Sequence, residues 1–308
     1  MSPPTTVIVL MGGPDAEREV SLSSGSRVAA ALETFEDLVV LARAVDAPEE
    51  SELRSMFESD RADVIFPVLH GEWGEGGELQ SRLESIGVPF VGSGRDAAEL
   101  AMDKMRSKAM ITDLDIPTPA ASPVTPGREI EIPLPLVLKP IADGSSVGVR
   151  MVSTPEELTE ARRDLEPRHD RIMAEAFVSG RELTVGMVDG RMLPPIEIIP
   201  TSGFYDYEAK YLRNDTRYVV SPELPSEVED DLESWSRRIL EAFAVRDFGR
   251  VDWLLPSGEG DRPRPTFLEL NTIPGMTDHS LIPMAAETIG LPMPALCRRL
   301  VDAALRRD

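Results

Sequence analysis

Residues 249–255 read GRVDWLL and residues 266–271 read TFLELN, and a polar connection with two glycines lies between them. In both runs apolar and polar residues alternate, which is typical of β-strands that bury one face. If the two strands pair as a hairpin with their polar faces aligned, three oxygen-bearing side chains and one arginine meet on one patch. These side chains are Asp252, Glu269, Asn271 and Arg250.

The patch has two interpretations. Carboxylate and amide oxygens suit Mg2+, which proteins usually hold through one or two carboxylates together with the phosphates of a substrate. A solvated polar face on a half-exposed hairpin would produce the same alternation. In both cases the alternation predicts that Leu268 and Leu270 lie on the opposite face, away from the polar groups.

The composition limits the possible partners. The chain has 308 residues, of which 42% are hydrophobic and 28% charged, as is typical of folded proteins with two or three packed units. A formal net charge of −22 disfavours nucleic acid and anionic membranes as partners, although lysines and a metal can reverse the field inside one cleft. The single cysteine, Cys297, is expected to be a small buried hydrophobe. Without a basic leader or a run of about 20 apolar residues, we expect a cytoplasmic protein.

The first third of the chain alternates strand and helix patterns, which predicts a small open parallel sheet. Strands are predicted over residues 7–11, 64–69 and 88–91, and helices over residues 25–32, 79–86 and 100–109. Four prolines in residues 117–127 indicate a crossing to a second unit.

After this crossing the pattern changes to antiparallel strand pairs. Thr154, Pro155 and Glu157 predict an N-cap, a first-turn proline and a capping-box acid at the start of a helix. Strands are predicted over residues 134–139, 147–152, 172–178, 183–188 and 191–199, and helices over residues 154–165 and 226–244.

Two loops are candidates for contact with a phosphate. Lys139 ends an apolar strand, and residues 142–148 (ADGSSVG) after it can present backbone N–H groups to phosphate oxygens. The chain has neither a GxxxxGK[ST] loop nor a complete GxGxxG turn, which disfavours a P-loop or dinucleotide-binding fold. Residues 205–211 (YDYEAKY) are either a surface loop or a lid that brings Lys210 to a phosphate.

Taken together, these segments resemble the D-alanine:D-alanine ligases of the ATP-grasp superfamily over nearly the whole chain. The matching strings begin at Gly12 (GGPDAEREVSLSSG), Leu69 (LHGEWGEGGELQ), Pro89 (PFVGSG), Ala101 (AMDKMRSK), Lys139 (KPIADGSSVGV), Phe204 (FYDYEAKY), Gly249 (GRVD) and Leu268 (LELNTIPGMTDHSLIP). Their order and spacing also resemble those of the family, so the ordered set is far more specific than any one string.

The resemblance implies an α/β chain with the ATP-grasp fold, α+β in its central and C-terminal parts. Three domains are expected: an N-terminal open sheet over residues 1–95, a central domain over 96–182 and a C-terminal catalytic domain over 183–308. ATP would lie between the antiparallel sheets of the last two.

The resemblance also assigns expected roles to residues of this chain. Lys104, Lys139 and Lys210 would hold the ATP phosphates, Glu175, Phe177 and Val178 the adenine, and Glu182 the ribose. Asp252, Glu269 and Asn271 would bind two Mg2+ ions, with Mn2+ as a substitute. Glu17, Ser145 and Tyr211 would form a hydrogen-bonded trio under the lid, and Arg250 would stabilise the charged intermediate. His70, Gly275, Ser280 and Leu281 would contact the amino acid substrates.

Two positions depart from the family pattern. Glu72 stands where a basic residue is common, and Gly76 replaces a usual aspartate, so the first-substrate subsite is expected to differ in detail.

The implied activity is the joining of two D-alanine molecules through an acyl phosphate, for peptidoglycan precursor synthesis, by a homodimer that binds ATP and Mg2+. Three alternatives remain open on sequence grounds. They are an ATP-grasp ligase with another acceptor (D-lactate, D-serine or an L-amino acid), a catalytically silent nucleotide-binding relative, and a Rossmann oxidoreductase.

Overall fold

The computed structural model describes residues 3–144, 148–200, 216–257 and 263–307. The N-terminal part of the chain forms a three-stranded parallel sheet in the order β2-β1-β3. Its elements are β1 (Thr5–Gly12), α1 (Arg18–Leu32), β2 (Leu38–Val45), α2 (Glu50–Asp60), β3 (Val64–Pro67), α3 (Glu72–Glu75) and α4 (Glu78–Ile86). The central strand β1 is a continuous apolar run because both of its faces are covered, and Val7 to Leu10 are fully buried.

Two antiparallel sheets follow, as the change of pattern after residue 117 predicts. The four-stranded sheet, in the order β4-β7-β5-β6, contains β4 (Ala121–Pro123), β5 (Leu136–Pro140), β6 (Arg150–Val152) and β7 (Ile172–Ala176), with helix α7 (Pro155–Leu165) packed against it. The six-stranded sheet, in the order β11-β10-β8-β12-β13 with β9 paired to β8, contains β8 (Gly180–Val188), β9 (Arg191–Met192), β10 (Ile196–Ile199), β11 (Arg217–Val220), β12 (Phe248–Pro256) and β13 (Thr266–Asn271). The remaining helices are α5 (Arg95–Met102), α6 (Lys104–Asp113), α8 (Ser226–Ala242), α9 (Leu281–Thr288) and α10 (Met293–Leu305).

Local signals account for several helix boundaries. The Thr154 side chain accepts a hydrogen bond from Glu157 N, and the Glu157 carboxylate accepts one from Ser153 N, so the predicted N-terminus of α7 is confirmed. Helix α6 begins at an equivalent cap, where Asp103 Oδ1 accepts from Arg106 N at 3.0 Å. This cap divides the helix predicted over residues 100–109 into α5 and α6.

Two strand predictions were wrong in detail, and one strand was missed. Strand β2 was not predicted, because its alternation is weak and several of its residues remain exposed at the sheet edge. Residues 88–91 form only an isolated parallel bridge between Ile65 and Phe90. The strand predicted over residues 191–199 is interrupted at Pro194 and Pro195, which lack the N–H groups that a ladder needs.

The largest hydrophobic core connects the N-terminal sheet with the C-terminal part of the chain. Phe66 on β3 packs edge to face against Phe248 on β12, with their ring centroids 6.4 Å apart. Helix α10 lies in the same core, and Cys297 is fully buried there, as predicted. Burial raises the pKa of the Cys297 thiol to about 12, so the thiol stays protonated. None of the helices in the described ranges is long and apolar enough to span a bilayer.

Candidate functional site

The predicted polar patch forms on neighbouring strands of the six-stranded sheet. Arg250 lies opposite Asn271, and Asp252 lies opposite Glu269, in the antiparallel register of β12 and β13. The Asp252 carboxylate is buried and accepts hydrogen bonds from Arg250 Nε and Nη2, both at 2.8 Å. Thr184 on β8 also donates to Asp252 Oδ1 at 2.6 Å. The structure therefore brings the predicted residues together and adds Thr184, which sequence analysis missed.

The prediction for Leu268 was wrong. Strands β12 and β13 shift register between Asp252 and Trp253, so the strict alternation of faces breaks there. Phe267 and Leu270 are buried in the core, whereas Leu268 lines the same cleft as Glu269. This bulge arises from the pairing of β13 with β12, so it could not be predicted from the alternation of residues within β13 alone.

The donor set fits a Mg2+ site that is completed by a substrate. Two carboxylates and one amide provide hard oxygen ligands, and phosphate oxygens of a bound nucleotide would supply others. Asn271 Oδ1 already accepts a hydrogen bond from Ile273 N at 3.0 Å, which orients its oxygen. In the described ranges no group of three or more His, Cys, Asp or Glu side chains could hold a metal ion by itself.

One cleft beside this patch has the polar lining expected of an amino acid site. Glu17, His70 and Arg250 line it together with Lys104, Glu269, Asn271, Gly275, Ser280 and Leu281. Gly144 closely approaches Glu17, since a Cβ at residue 144 would lie 3.1 Å from Glu17 Oε2. Six of the predicted catalytic and substrate-binding residues therefore line this cleft: Glu17, His70, Arg250, Gly275, Ser280 and Leu281. The predicted metal ligands Glu269 and Asn271 and the loop residue Gly144 line it as well.

A buried ion pair forms the floor of this cleft. His70 Nδ1 lies 2.8 Å from Glu75 Oε1, and both side chains are largely buried. Burial disfavours the charged imidazole, yet the hydrogen bond and negative charge of Glu75, with the charge of Glu17, raise the pKa of His70. Burial likewise raises the pKa of Glu75, against the opposing effect of His70. Each of the two groups thus keeps its proton to a higher pH than it would in water. Glu75 is a further residue that sequence analysis missed.

The opposite wall of the cleft is the N-terminus of α9. Ser280 Oγ accepts a hydrogen bond from Thr277 N at 2.9 Å, which fixes the turn before Leu281. A Cβ at Gly275 would lie only 2.9 Å from Ser280 Oγ, so the glycine permits this close approach. The free backbone N–H groups at such a helix start favour a carboxylate.

A second cleft lies between the two antiparallel sheets. Its lining includes Lys104, Lys139, Glu175, Phe177, Val178, Glu182, Leu254 and Leu268. All of the ATP-binding residues predicted within the described ranges line it. Lys139 Nζ donates to Glu175 Oε2 at 2.7 Å, and Lys104 Nζ donates to the Asp143 carbonyl at 2.5 Å. Lys108, a buried lysine on α6, pairs with Glu175 from behind the cleft and was also missed by sequence analysis.

The two clefts meet at shared residues. Lys104, Asp143 and Glu269 line both of them. A molecule that extends along the second cleft would therefore present its end to a ligand of the first. The predicted residues Ser145, Lys210 and Tyr211 lie outside the described residues.

Comparison with known proteins gives consistent similarities. A family profile described as D-ala D-ala ligase C-terminus matches residues 122–302, and one described as D-ala D-ala ligase N-terminus matches residues 42–93. The D-alanine–D-alanine ligase of Dechloromonas aromatica is 42% identical over 306 residues, which cover 97% of each chain.

Solved structures extend the similarity to the fold. The D-alanine–D-alanine ligase from Bacillus anthracis complexed with ATP superposes with a TM-score of 0.85 at 30% identity, and the match covers 99% of this chain and 98% of that one. The VanG D-Ala:D-Ser ligase from Enterococcus faecalis gives a TM-score of 0.82 at 25% identity, over 98% and 99% of the two chains.

Proposed function

This chain belongs to the D-alanine–D-alanine ligase family, and from this premise we propose that it joins two D-alanine molecules into D-alanyl-D-alanine while ATP is cleaved to ADP and phosphate. The family and the ATP-grasp fold class predicted from the sequence are confirmed by the comparisons. The observation that carries the proposed reaction is the meeting of the two clefts at Lys104 and Glu269. A nucleotide in one cleft would direct its terminal phosphate to a carboxylate in the other.

The reaction has two steps. The carboxylate of the first D-alanine attacks the terminal phosphorus of ATP, and the acyl phosphate forms as ADP leaves. The amine of the second D-alanine then attacks the acyl carbon, loses a proton, and phosphate departs with the electron pair of the broken C–O bond. Because an unactivated carboxylate does not react with amines, the two steps require both the nucleotide cleft and the amino acid cleft.

The cationic residues assist phosphoryl transfer mainly through charge. Lys104 and Lys139 bind and orient the phosphates, and Arg250 stabilises the negative oxygen that develops at the acyl carbon. Loss of one such preorganised donor typically lowers the rate by ~10²–10³.

Other residues of the first cleft orient the amino acids. Glu17 binds the ammonium group of the first D-alanine, and His70 lies beside it. The N-terminus of α9, at Ser280 and Leu281, binds the carboxylate of the second, and Gly275 leaves room for that turn.

Asp252, Glu269 and Asn271 are the proposed ligands of two Mg2+ ions, for which Mn2+ can substitute. When bound, the metal offsets negative charge on the transferring phosphoryl group. Arg250 and Thr184 hold the Asp252 carboxylate in position for this role.

We further propose that Lys210 acts on the terminal phosphate from a lid and that Tyr211 and Ser145 join Glu17 when the lid closes. We also propose three units over residues 1–95, 96–182 and 183–308; the three separate sheets of the described ranges support the number of units, although strand β8 (Gly180–Val188) crosses the second limit. A homodimer that supplies a peptidoglycan precursor in the cytoplasm completes the proposal.

The deciding experiment is ADP release in the presence and absence of D-alanine, with the product identified by mass. We expect ADP release that requires D-alanine and a product with the mass of the dipeptide. If the protein binds ATP but releases no ADP with any amino acid, it is instead a nucleotide-binding relative without catalytic activity.

The acceptor is tested separately, because the D-Ala:D-Ser ligase shares the fold and the fold alone does not choose between acceptors. D-alanine, D-serine, D-lactate and L-alanine compete at equal concentration, and each product is quantified by mass. A dominant product other than D-alanyl-D-alanine refutes the acceptor assignment and leaves the ligase reaction standing.

A further inference from the structure

Helix α6 carries two lysines, Lys104 and Lys108, at positions four residues apart beside the second cleft. Residues four apart lie on one face of a helix, one turn from each other. Lys104, in the first turn, lines the cleft itself. Lys108, one turn later, is 5% exposed and reaches the back of strand β7 instead.

Lys108 and Lys139 hold one carboxylate between them. Lys108 Nζ lies 2.6 Å from Glu175 Oε1, and Lys139 Nζ lies 2.7 Å from Glu175 Oε2. The remaining donors of Lys108 are used in the protein interior, because its Nζ donates to Thr118 Oγ1 at 2.7 Å and to the Pro119 carbonyl at 3.0 Å. Lys108 is therefore fixed on the side of Glu175 that faces away from the cleft.

The two lysines differ in what they can do when a nucleotide binds. Lys139 lines the cleft, so a phosphate bound there can compete with Glu175 for it, whereas Lys108 lies behind Glu175 and does not line the cleft. A buried carboxylate that loses its cations takes up a proton, because burial disfavours the charged form. Once Lys139 has turned away, only Lys108 keeps Glu175 ionised.

The charges of the group agree with this division of roles. Burial acts to raise the pKa of Glu175, but the charges of Lys139 and Lys108 hold it below its ordinary value. Burial lowers the pKa of Lys108 to about 8. The positive charge of Lys139 also lowers this pKa, whereas the negative charge of Glu175 raises it.

We propose that Lys108 is a positioning residue for nucleotide selection, which keeps Glu175 ionised and oriented as a hydrogen-bond acceptor for the amino group of adenine. Guanine presents a carbonyl oxygen at the corresponding edge, and an ionised carboxylate repels it. The inference rests on the proposed function, since it requires a nucleotide in this cleft with its base at Glu175.

The test compares the affinities of ATP and GTP, each with Mg2+ and without D-alanine, by calorimetry at pH 7.5. Lys108→Met keeps the length of the side chain and removes its charge. We expect the preference for ATP over GTP to fall about tenfold or more, as loss of a charge-supported hydrogen bond typically gives. Lys108→Arg should retain most of the preference. Arg106→Met, which removes an exposed cation from the same helix, should retain all of it.

A pH series supplies a second readout that a purely structural role would not change. In Lys108→Met the ATP affinity should fall as the pH is lowered from 7 to 5.5, because Glu175 becomes protonated, whereas the unmodified protein should vary little over this range, which lies below the pKa of Lys108. The titratable side chains that act on the charge of Lys108 are Glu175 on β7 and Lys139 on β5.

A double-mutant cycle of Lys108→Met and Glu175→Gln distinguishes loss of the Lys108–Glu175 interaction from a general folding defect. Glu175→Gln should lose the preference by itself, and Lys108→Met added to it should cause no further loss. An ATP preference in Lys108→Met equal to that of the unmodified protein, or additive losses in the cycle, overturns the role of Lys108. Absence of ATP binding to the unmodified protein would instead refute the proposed function.

Discussion

Glu269, like Lys104 and Asp143, lines both clefts, and it lies opposite Asp252 in the β12–β13 ladder. Its side chain is only partly buried and lines both clefts. The carboxylate is therefore well placed to bind a ligand that enters from either cleft. A substitution that keeps its shape should separate binding chemistry from folding.

We expect Glu269→Gln to lower D-alanine-dependent ADP release by about 10²-fold or more, because one carboxylate of the proposed metal site becomes a neutral amide. The free energy of unfolding, measured by urea denaturation, should change by less than about 1 kcal/mol, as for most substitutions outside the core. Steady-state rates at saturating ATP over a Mg2+ titration, together with Mn2+ binding followed by electron paramagnetic resonance, measure the effect. Glu287→Gln, an exposed acid on α9, is the control. Unchanged activity at low Mg2+ would contradict the metal assignment.

The His70–Glu75 pair makes stability depend on pH in a defined direction. Both pKa values are raised in the folded chain, so for each group the folded state binds more protons than the unfolded state over the interval between its ordinary pKa and its raised pKa. Stability supplied by the pair is complete below this interval and is lost as the pH rises through it.

We expect Glu75→Gln to lower the pKa of His70, because burial then acts without the opposing carboxylate. The chain has only three histidines, so the imidazole resonances can be assigned by substitution and followed in an NMR titration. Glu72→Gln, on the same short helix, should leave the pKa of His70 nearly unchanged. A His70 titration that is identical in Glu75→Gln and the unmodified protein would mean that the ion pair does not form.

At the level of elements, helix α6 depends on the cap at its first turn. Asp103 accepts from Arg106 N and also pairs with Arg171 Nη2 at 2.8 Å, which joins the helix start to the segment before β7. The same helix carries Lys104 and Lys108, so the position of both lysines depends on this cap.

We expect Asp103→Ala to reduce the free energy of unfolding by ~1–2 kcal/mol, the usual cost of losing an N-cap. Asp103→Asn should cost less, because the amide oxygen can still accept from Arg106 N. Urea denaturation followed by circular dichroism compares the two variants. Equal losses would assign the effect to the pair with Arg171 rather than to the cap.

For the whole molecule, the N-terminal sheet and the C-terminal sheet share one hydrophobic core, whereas the four-stranded sheet has a separate core. Elements that share a core tend to unfold as one unit. The two outer parts of the chain should therefore open together and the central sheet independently.

We expect Phe248→Ala to increase hydrogen exchange in peptides from both β1–β3 and β8–β12, since it removes a fully buried ring at the junction, at a cost of ~3–5 kcal/mol. Peptides from β5 and β7 should keep their protection. Leu138→Ala, in the separate core, should show the reverse pattern. Mass spectrometry of exchange in dilute urea measures both, and equal deprotection of all three sheets would contradict the division.

Features that depend on neighbouring positions in the chain were predictable from the sequence. Alternation along β12 and β13 predicted that Arg250, Asp252, Glu269 and Asn271 meet, and the capping pattern at Thr154 predicted the start of α7. The ordered motifs predicted the family. These features follow from the fixed periods of strands and helices and from short-range hydrogen bonds.

Only the tertiary structure decided which residues meet across the fold. The bulge that turns Leu268 to the cleft arises from pairing with β12, and Lys108 reaches Glu175 only because α6 packs behind the four-stranded sheet. Thr184 likewise acquires its partner, Asp252, from a strand that is distant in the sequence. Such contacts depend on strand register and helix placement, which the packing of the whole chain sets and which no local period contains.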